Sequence, residues 1–164
     1  MIEIRTATEA DLPQILDIYN DVIINTTASY DYEPHTLAMR QQWFETKQQQ
    51  GFPVFVAMEG NEVAGFSTFG PFRAWTGYRF SVENSIYVST NHRGKGIAKL
   101  LMAPLIDAAK ALGLHTMIAG IDATNEASIK LHQLFGFVET AHMKEVGFKF
   151  DKWLDLKFLQ LILK

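Results

Sequence analysis

Apolar positions along this chain switch between a period of two and a period near 3.6, and capping residues, glycine and proline mark the switches. Residues 2–7 alternate apolar with charged and predict a short strand. Thr8 then offers a helix N-cap, with Asp11 three residues on as an acidic partner. Leu12, Ile15, Leu16 and Tyr19 recur at helical spacing and predict a helix to about residue 23. Residues 25–34 are polar and aromatic without a period, so a loop follows. A second helix is predicted over 36–50, stopped at Gly51. Two strands over 54–59 and 62–69 flank Gly60-Asn61, a pair suited to the positive φ angles of a hairpin turn. A second irregular aromatic stretch, 70–78, leads into a strand over 79–89.

Ile97, Leu100, Leu101, Leu105, Ala108 and Leu112 mark an amphipathic helix closed by Lys110 and Gly113. Pro104 falls inside it, deletes the bond to the Leu100 carbonyl and predicts a kinked or loosened turn. A strand over 115–121, a helix over 125–135 stopped by Gly136, and strands over 137–146 and 152–163 complete the chain. In the last of these, Leu154, Leu156 and Phe158 alternate with Asp155 and Lys157, while the apolar run beyond Phe158 leaves a helical tail open. The order β-α-α-β-β-β-α-β-α-β-β predicts one α/β (mixed α+β) domain over 1–164, a mixed sheet with helices on both faces.

Composition narrows the function. The 164 residues are 48% hydrophobic and 20% charged, as in a globular protein, and the net charge of −3 argues against a general nucleic-acid binder. Cysteine is absent, which removes thiolate metal sites and any cysteine acyl-enzyme. The first residues lack a signal-peptide pattern, and no apolar run approaches the roughly 18 residues a membrane span needs. A cytoplasmic protein without membrane contact is the expectation. His35, His92, His115 and His142 have no metal-ligand spacing, so no metal is expected.

The segment Arg93-Gly94-Lys95-Gly96-Ile97-Ala98 sits between a strand and a helix. Glycines let backbone N–H groups approach an anion, and the helix dipole favours phosphate there. A Walker loop would need Lys-Ser/Thr after its second glycine, and a dinucleotide loop would need a glycine at Lys99. Arg-x-x-Gly-x-Ala instead resembles the pyrophosphate loop of the GNAT N-acetyltransferases. The resemblance extends along nearly the whole chain through Phe72-Arg73-Ala74-Trp75, Tyr78, Val82-Glu83-Asn84-Ser85-Ile86-Tyr87-Val88, Asn125, His132, Phe135-Gly136-Phe137, Val146-Gly147-Phe148-Lys149-Phe150 and Trp153-Leu154-Asp155. It points to the phosphinothricin and methionine sulfoximine acetyltransferase branch. Asn84 and Asp151 depart from that branch, where histidine or valine and glycine are common.

The resemblance implies acetyl-CoA as co-substrate, a mostly antiparallel sheet of about seven strands splayed in the middle, and a homodimer. It sets Tyr87, Val88, Arg93, Gly94, Lys95, Gly96, Ile97, Ala98, Asn125 and Ser128 against the coenzyme, with the Val88 N–H polarising the thioester carbonyl. Glu83, a carboxylate in an apolar strand, is suited to take the amine's proton, since burial raises its pKa; the rival reading is an ion pair with Arg73 or Arg79. His132 occupies the place of a residue that protonates the departing thiolate, or is a buried histidine bonded to backbone. Asn125 contacts the pantetheine amides or is a plain N-cap. Tyr30, Glu33, Phe72, Arg73, Trp75 and Tyr78 are the candidate acceptor pocket, Arg73 for a carboxylate; their aromatics serve equally as core or dimer interface. The acceptor expected is a small amino acid or analogue, such as phosphinothricin, methionine sulfoximine or methionine sulfone. A protein N-terminus, polyamine or aminoglycoside, or a non-catalytic acyl-CoA sensor, are the alternatives.

Overall fold

A computed structural model describes residues 1–164. Its elements are β1 (Ile2–Thr6), α1 (Leu12–Asn25), α2 (Leu37–Gln50), β2 (Val54–Glu59), β3 (Glu62–Pro71), β4 (Ser81–Val88), α3 (Ile97–Ala111), β5 (Thr116–Asp122), α4 (Glu126–Leu134), β6 (Val138–Lys149) and β7 (Lys152–Ile162). Their kinds and order follow the hydrophobic pattern. The seven strands form one sheet in the order β1-β2-β3-β4-β5-β7-β6, with every neighbouring pair antiparallel except β4 and β5.

The two sheet faces carry separate cores. On one, Leu12, Ile15 and Ile18 of α1 and Phe44 of α2 pack on Val54, Val56 and Phe66. On the other, Met102, Leu105 and Ala109 of α3 pack on Phe69, Val82, Met117 and Leu159. Alternation therefore turns Glu83, Ser85 and Tyr87 toward α1 and α2, and Val82, Asn84, Ile86 and Val88 toward α3 and α4.

Several boundaries differ for local reasons. The Thr8–Asp11 capping box closes a single 3-10 turn, and α1 begins only at Leu12. Asp11 is also bound by Arg5 at 2.7 Å, so the box ties the helix start to β1. In the Gly60-Asn61 turn only Gly60 takes a positive φ, 61°. Residues Thr76–Tyr78 form a 3-10 turn that delays β4 to Ser81. The C-terminal tail is a strand, because β7 is paired on both sides, with β5 and with β6, and a helix would forfeit both ladders. Pro104 does not break α3. The Ser67 hydroxyl, from β3, donates to the Leu101 carbonyl at 3.2 Å and supports the turn the proline weakens.

Candidate active site

The parallel pair is joined for three residues only: Ser81 opposite Thr116, Val82 opposite Met117 and Glu83 opposite Ile118. Beyond Glu83 the strands part. The Ser89 N–H donates to Ala64 O at 2.8 Å, and Val88 faces Gly65 in the register of β3 and β4. In an antiparallel ladder alternate residues bond to the same neighbour, so the N–H groups of Ile86 and Val88 point away from β3 into the gap. A cavity of about 980 Å³ fills this gap, walled by residues 84–88 of β4 and 119–122 of β5 and reaching the starts of α3 and α4.

At the mouth, Gly94 and Gly96 adopt φ of 78° and 74°, the left-handed region that favours glycine. No side chain caps α3, and its first intrahelical bond is Leu100 N–H to Gly96 O. The N–H groups of Ile97, Ala98 and Lys99 thus precede the helix ladder, at the positive end of the helix dipole. Arg93, Ala98 and Lys99 line the cavity beside them. Lys95 does not. Its Nζ lies 2.8 Å from Glu59, whose carboxylate ends β2 next to the loop and draws the ammonium outward.

Glu83 is half-buried at the point where the strands separate. Burial pushes its carboxyl above the usual range, and the positive charge of Arg73 opposes that only in part. No cation comes within ion-pair distance of it, so the expected rival pairing with Arg73 or Arg79 is not what holds it. Room for the carboxylate comes from Gly120 of β5, where an added Cβ would lie 3.0 Å from Glu83 Oε2. A glycine inside a strand signals such an approach. The Tyr87 hydroxyl, two residues on from Ser85, is raised by burial and stays a neutral phenol.

Across the gap, Asn125 caps α4: its Oδ1 accepts from Ser128 N–H at 3.2 Å, and both residues line the cavity. His132 stands 2.7 Å by Nδ1 from the Ser128 carbonyl. A carbonyl can only accept, so Nδ1 carries the proton. Burial pushes the imidazole pKa down and keeps the ring neutral, which leaves Nε2 to accept from the Asn84 amide at 3.2 Å. The expectation that His132 hands a proton to a departing thiolate does not fit this arrangement, because the ring's one proton is held by backbone.

The expected acceptor residues divide into two groups, neither of which lines the large cavity. Phe72 meets Tyr78 edge-on at 5.8 Å, Trp75 meets Tyr78 at 6.5 Å, and the Arg73 guanidinium sits 5.4 Å from the Phe72 ring. This cluster is largely exposed. Tyr30 packs against Gly147 and reaches the Asp155 carbonyl, while Tyr32 donates to the Phe148 carbonyl. Glu33 is exposed. Sequence reasoning missed Lys149, a buried cation whose Nζ donates to Thr26 O at 2.8 Å and Ser29 O at 2.6 Å. It fastens the α1–α2 loop to the β6–β7 hairpin, and its place inside Val146-Gly147-Phe148-Lys149-Phe150 gave no local sign of that distant partner.

A sheet split along its parallel pair, with unpaired N–H groups in the split and a bare helix N-terminus at its mouth, is the framework of an enzyme that takes an acyl group from a phosphate-bearing carrier. Residues 13–137 match the Acetyltransferase (GNAT) family, and the chain belongs to it. It is 48% identical over 96% of its length to the L-methionine sulfoximine/L-methionine sulfone acetyltransferase of Pseudomonas aeruginosa, of which 92% is covered. To the phosphinothricin N-acetyltransferase of Streptomyces coelicolor it is 36% identical over 97% of this chain and 95% of that protein. The crystal structure of the phosphinothricin acetyltransferase of Sinorhizobium meliloti in complex with acetyl-CoA superposes with a TM-score of 0.96 at 40% identity, covering 99% of this chain and 88% of that one.

Proposed function

We propose that this enzyme acetylates the amine of a small amino acid or analogue, of the methionine sulfoximine, methionine sulfone or phosphinothricin kind, with acetyl-CoA as donor. One observation carries the reading: Glu83 is a half-buried carboxylate without an ion-pair partner, set where β4 and β5 begin to part. In this reading the N–H groups that open α3, with Arg93 and Lys99, receive the pyrophosphate, and Asn125 and Ser128 flank the pantetheine arm. When bound, acetyl-CoA supplies a thioester carbonyl to which the amine adds; the C–S bond then breaks, and CoA leaves and is protonated from solvent to the thiol. Val88 N–H donates to that carbonyl oxygen as charge develops on it. Glu83 accepts the proton the amine gives up, directly or through water. Transfer is direct, since the chain has no cysteine to carry the acetyl group.

His132 acts as a positioning residue here, holding Asn84 at the wall of the gap. Phe72, Arg73, Trp75 and Tyr78 form the outer side of the acceptor site, with Tyr30 and Glu33 on the loop opposite. The reading includes a cytoplasmic enzyme and a homodimer. Trp75, Val146, Phe148, Phe150 and Trp153 are all exposed apolar side chains, which supports an interface; no helix is long and apolar enough to cross a membrane. Acetyl-CoA-dependent release of CoA, measured with amino acids, their sulfones and sulfoximines, peptides, polyamines and aminoglycosides, tests the assignment. Turnover confined to the last three groups would overturn the acceptor class.

A further inference from the structure

A second pocket, of about 220 Å³, lies between α1, α2 and the β3–β4 pair and takes no part in the chemistry above. Its walls include Thr68, Ser85 and Tyr87, and the last two also line the donor cavity, so the spaces share a partition. Glu83 is the next residue on the same face of β4 after Ser85, about 7 Å along the strand. The pocket thus lies directly beyond the proposed base, on the acceptor side of the sheet.

Arg40 lines this pocket and is only 3% exposed. Its guanidinium lies 4.4 Å from the Tyr19 ring centroid and 4.5 Å from that of Trp43. His35 Nδ1, at 3.4 Å, is its one side-chain hydrogen-bond partner, and Nε has none. No carboxylate reaches it: Asp31 is engaged by the Tyr19 hydroxyl at 3.2 Å and by His35 Nε2 at 3.1 Å. Two turns on, Lys47 is a second buried cation, bound to the Phe69 carbonyl rather than to an acid. A lysine can shed its charge when buried; an arginine cannot. A buried guanidinium without a counter-ion is costly, and its planar fork suits an oxygen-bearing group.

We propose that the Arg40 pocket is the subsite for the oxygen-bearing end of the acceptor's side chain: a sulfone, sulfoximine, phosphinate or carboxylate. The inference rests on the amino-acid reading above and adds the side-chain specificity. Arg73 follows Pro71, which pairs with Val82, so it lies on the other side of Glu83 from the pocket. An acceptor with its amine at Glu83 directs its α-carboxylate toward Arg73 and its side chain toward Arg40. The span from Glu83 to the pocket is within reach of a methionine-length side chain.

The test measures binding by calorimetry and steady-state kinetics for methionine sulfone, phosphinothricin and norleucine, the last having an apolar end. Wild type, Arg40→Met and Arg40→Lys are compared. Wild type should prefer the two oxygenated acceptors. Arg40→Met should raise their Kd and KM by about 10- to 100-fold while leaving norleucine and acetyl-CoA within about twofold, and Arg40→Lys should recover part of the loss. Thermal stability of Arg40→Met should hold or rise, since an apolar side chain replaces an uncompensated charge. Equal wild-type affinity for sulfone and norleucine, equal losses for both in Arg40→Met, or methanesulfonate binding at Arg40 without displacing methionine sulfone would each overturn the subsite. If Arg40→Met fails to fold, the wild-type preference and Arg40→Lys decide. Arg40-dependent sulfone binding without turnover would keep the subsite and defeat the transfer reading; amino-acid turnover without sulfone preference would do the reverse.

Discussion

The side-chain amide of Asn84 meets Nε2 of His132 at 3.2 Å, across 48 residues of sequence, while the other ring nitrogen is held 2.7 Å from the Ser128 carbonyl. The two contacts set the tautomer and couple β4 to α4 across the cavity. Because burial lowers the His132 pKa below its ordinary value of 6.5, the unfolded chain takes up a proton there before the folded one does. Stability therefore falls as pH drops below about 6.5, and His132→Gln should weaken that dependence in urea titrations at pH 5 and pH 7. In activity, a positioning role predicts that His132→Gln loses less than the roughly 10²-fold expected for removal of an acid catalyst. It also predicts no change in the acidic limb of the rate profile.

Lys47 carries a pH signature of the same sign in a more alkaline window. Burial, reinforced by Arg40, pushes its amine down to about 8 from an ordinary 10.5. Between those values the unfolded chain holds the proton and the folded chain does not, so stability rises with pH across that window, by at most about 3 kcal/mol. Lys47→Met should abolish the rise, and chemical denaturation at pH 7.5 and pH 10 would show it.

Gly120 is where the two strands most directly constrain the base. A methyl group there would lie 3.0 Å from Glu83 Oε2 and 3.5 Å from Phe158. Gly120→Ala should lower kcat about tenfold, the effect of a base moved out of line, with the KM for acetyl-CoA unchanged.

Lys149 holds the α1–α2 loop by two carbonyls. Lys149→Met leaves both without their donor and should cost about 1–3 kcal/mol of stability. It should also raise the KM of the acceptor more than that of acetyl-CoA, because Tyr30 and Glu33 lie on that loop.

The fold was legible because its elements announce themselves locally: the alternation of Leu154, Leu156 and Phe158, and Gly51 and Gly136 as stops. The donor loop was legible for the same reason, since an anion site at a helix start is built from contiguous residues. What stayed hidden depends on register between distant segments. Nothing near Gly120 says that Glu83 lies beside it, and nothing near Lys95 says that Glu59 draws it away from the cavity. Nor does the helical pattern of α2 say that Arg40 is turned inward between Tyr19 and Trp43. The aromatic stretches read as irregular, but that Tyr30 and Tyr32 turn to the β6–β7 hairpin rather than line the large cavity depends on contacts with Asp155, Gly147 and Phe148, more than 100 residues away.

The proposed chemistry depends most directly on Glu83. Its carboxyl is raised by burial, so kcat/KM with methionine sulfone should climb with pH through a pKa above the usual carboxylate range as Glu83 loses its proton. The decisive measurement is that pH profile in wild type and in Glu83→Gln, with acetyl-CoA affinity followed in parallel. The account predicts a loss of about 10²- to 10⁴-fold in the variant, disappearance of the rising limb, and unchanged donor binding. A variant with the wild-type profile and near wild-type rate would contradict it.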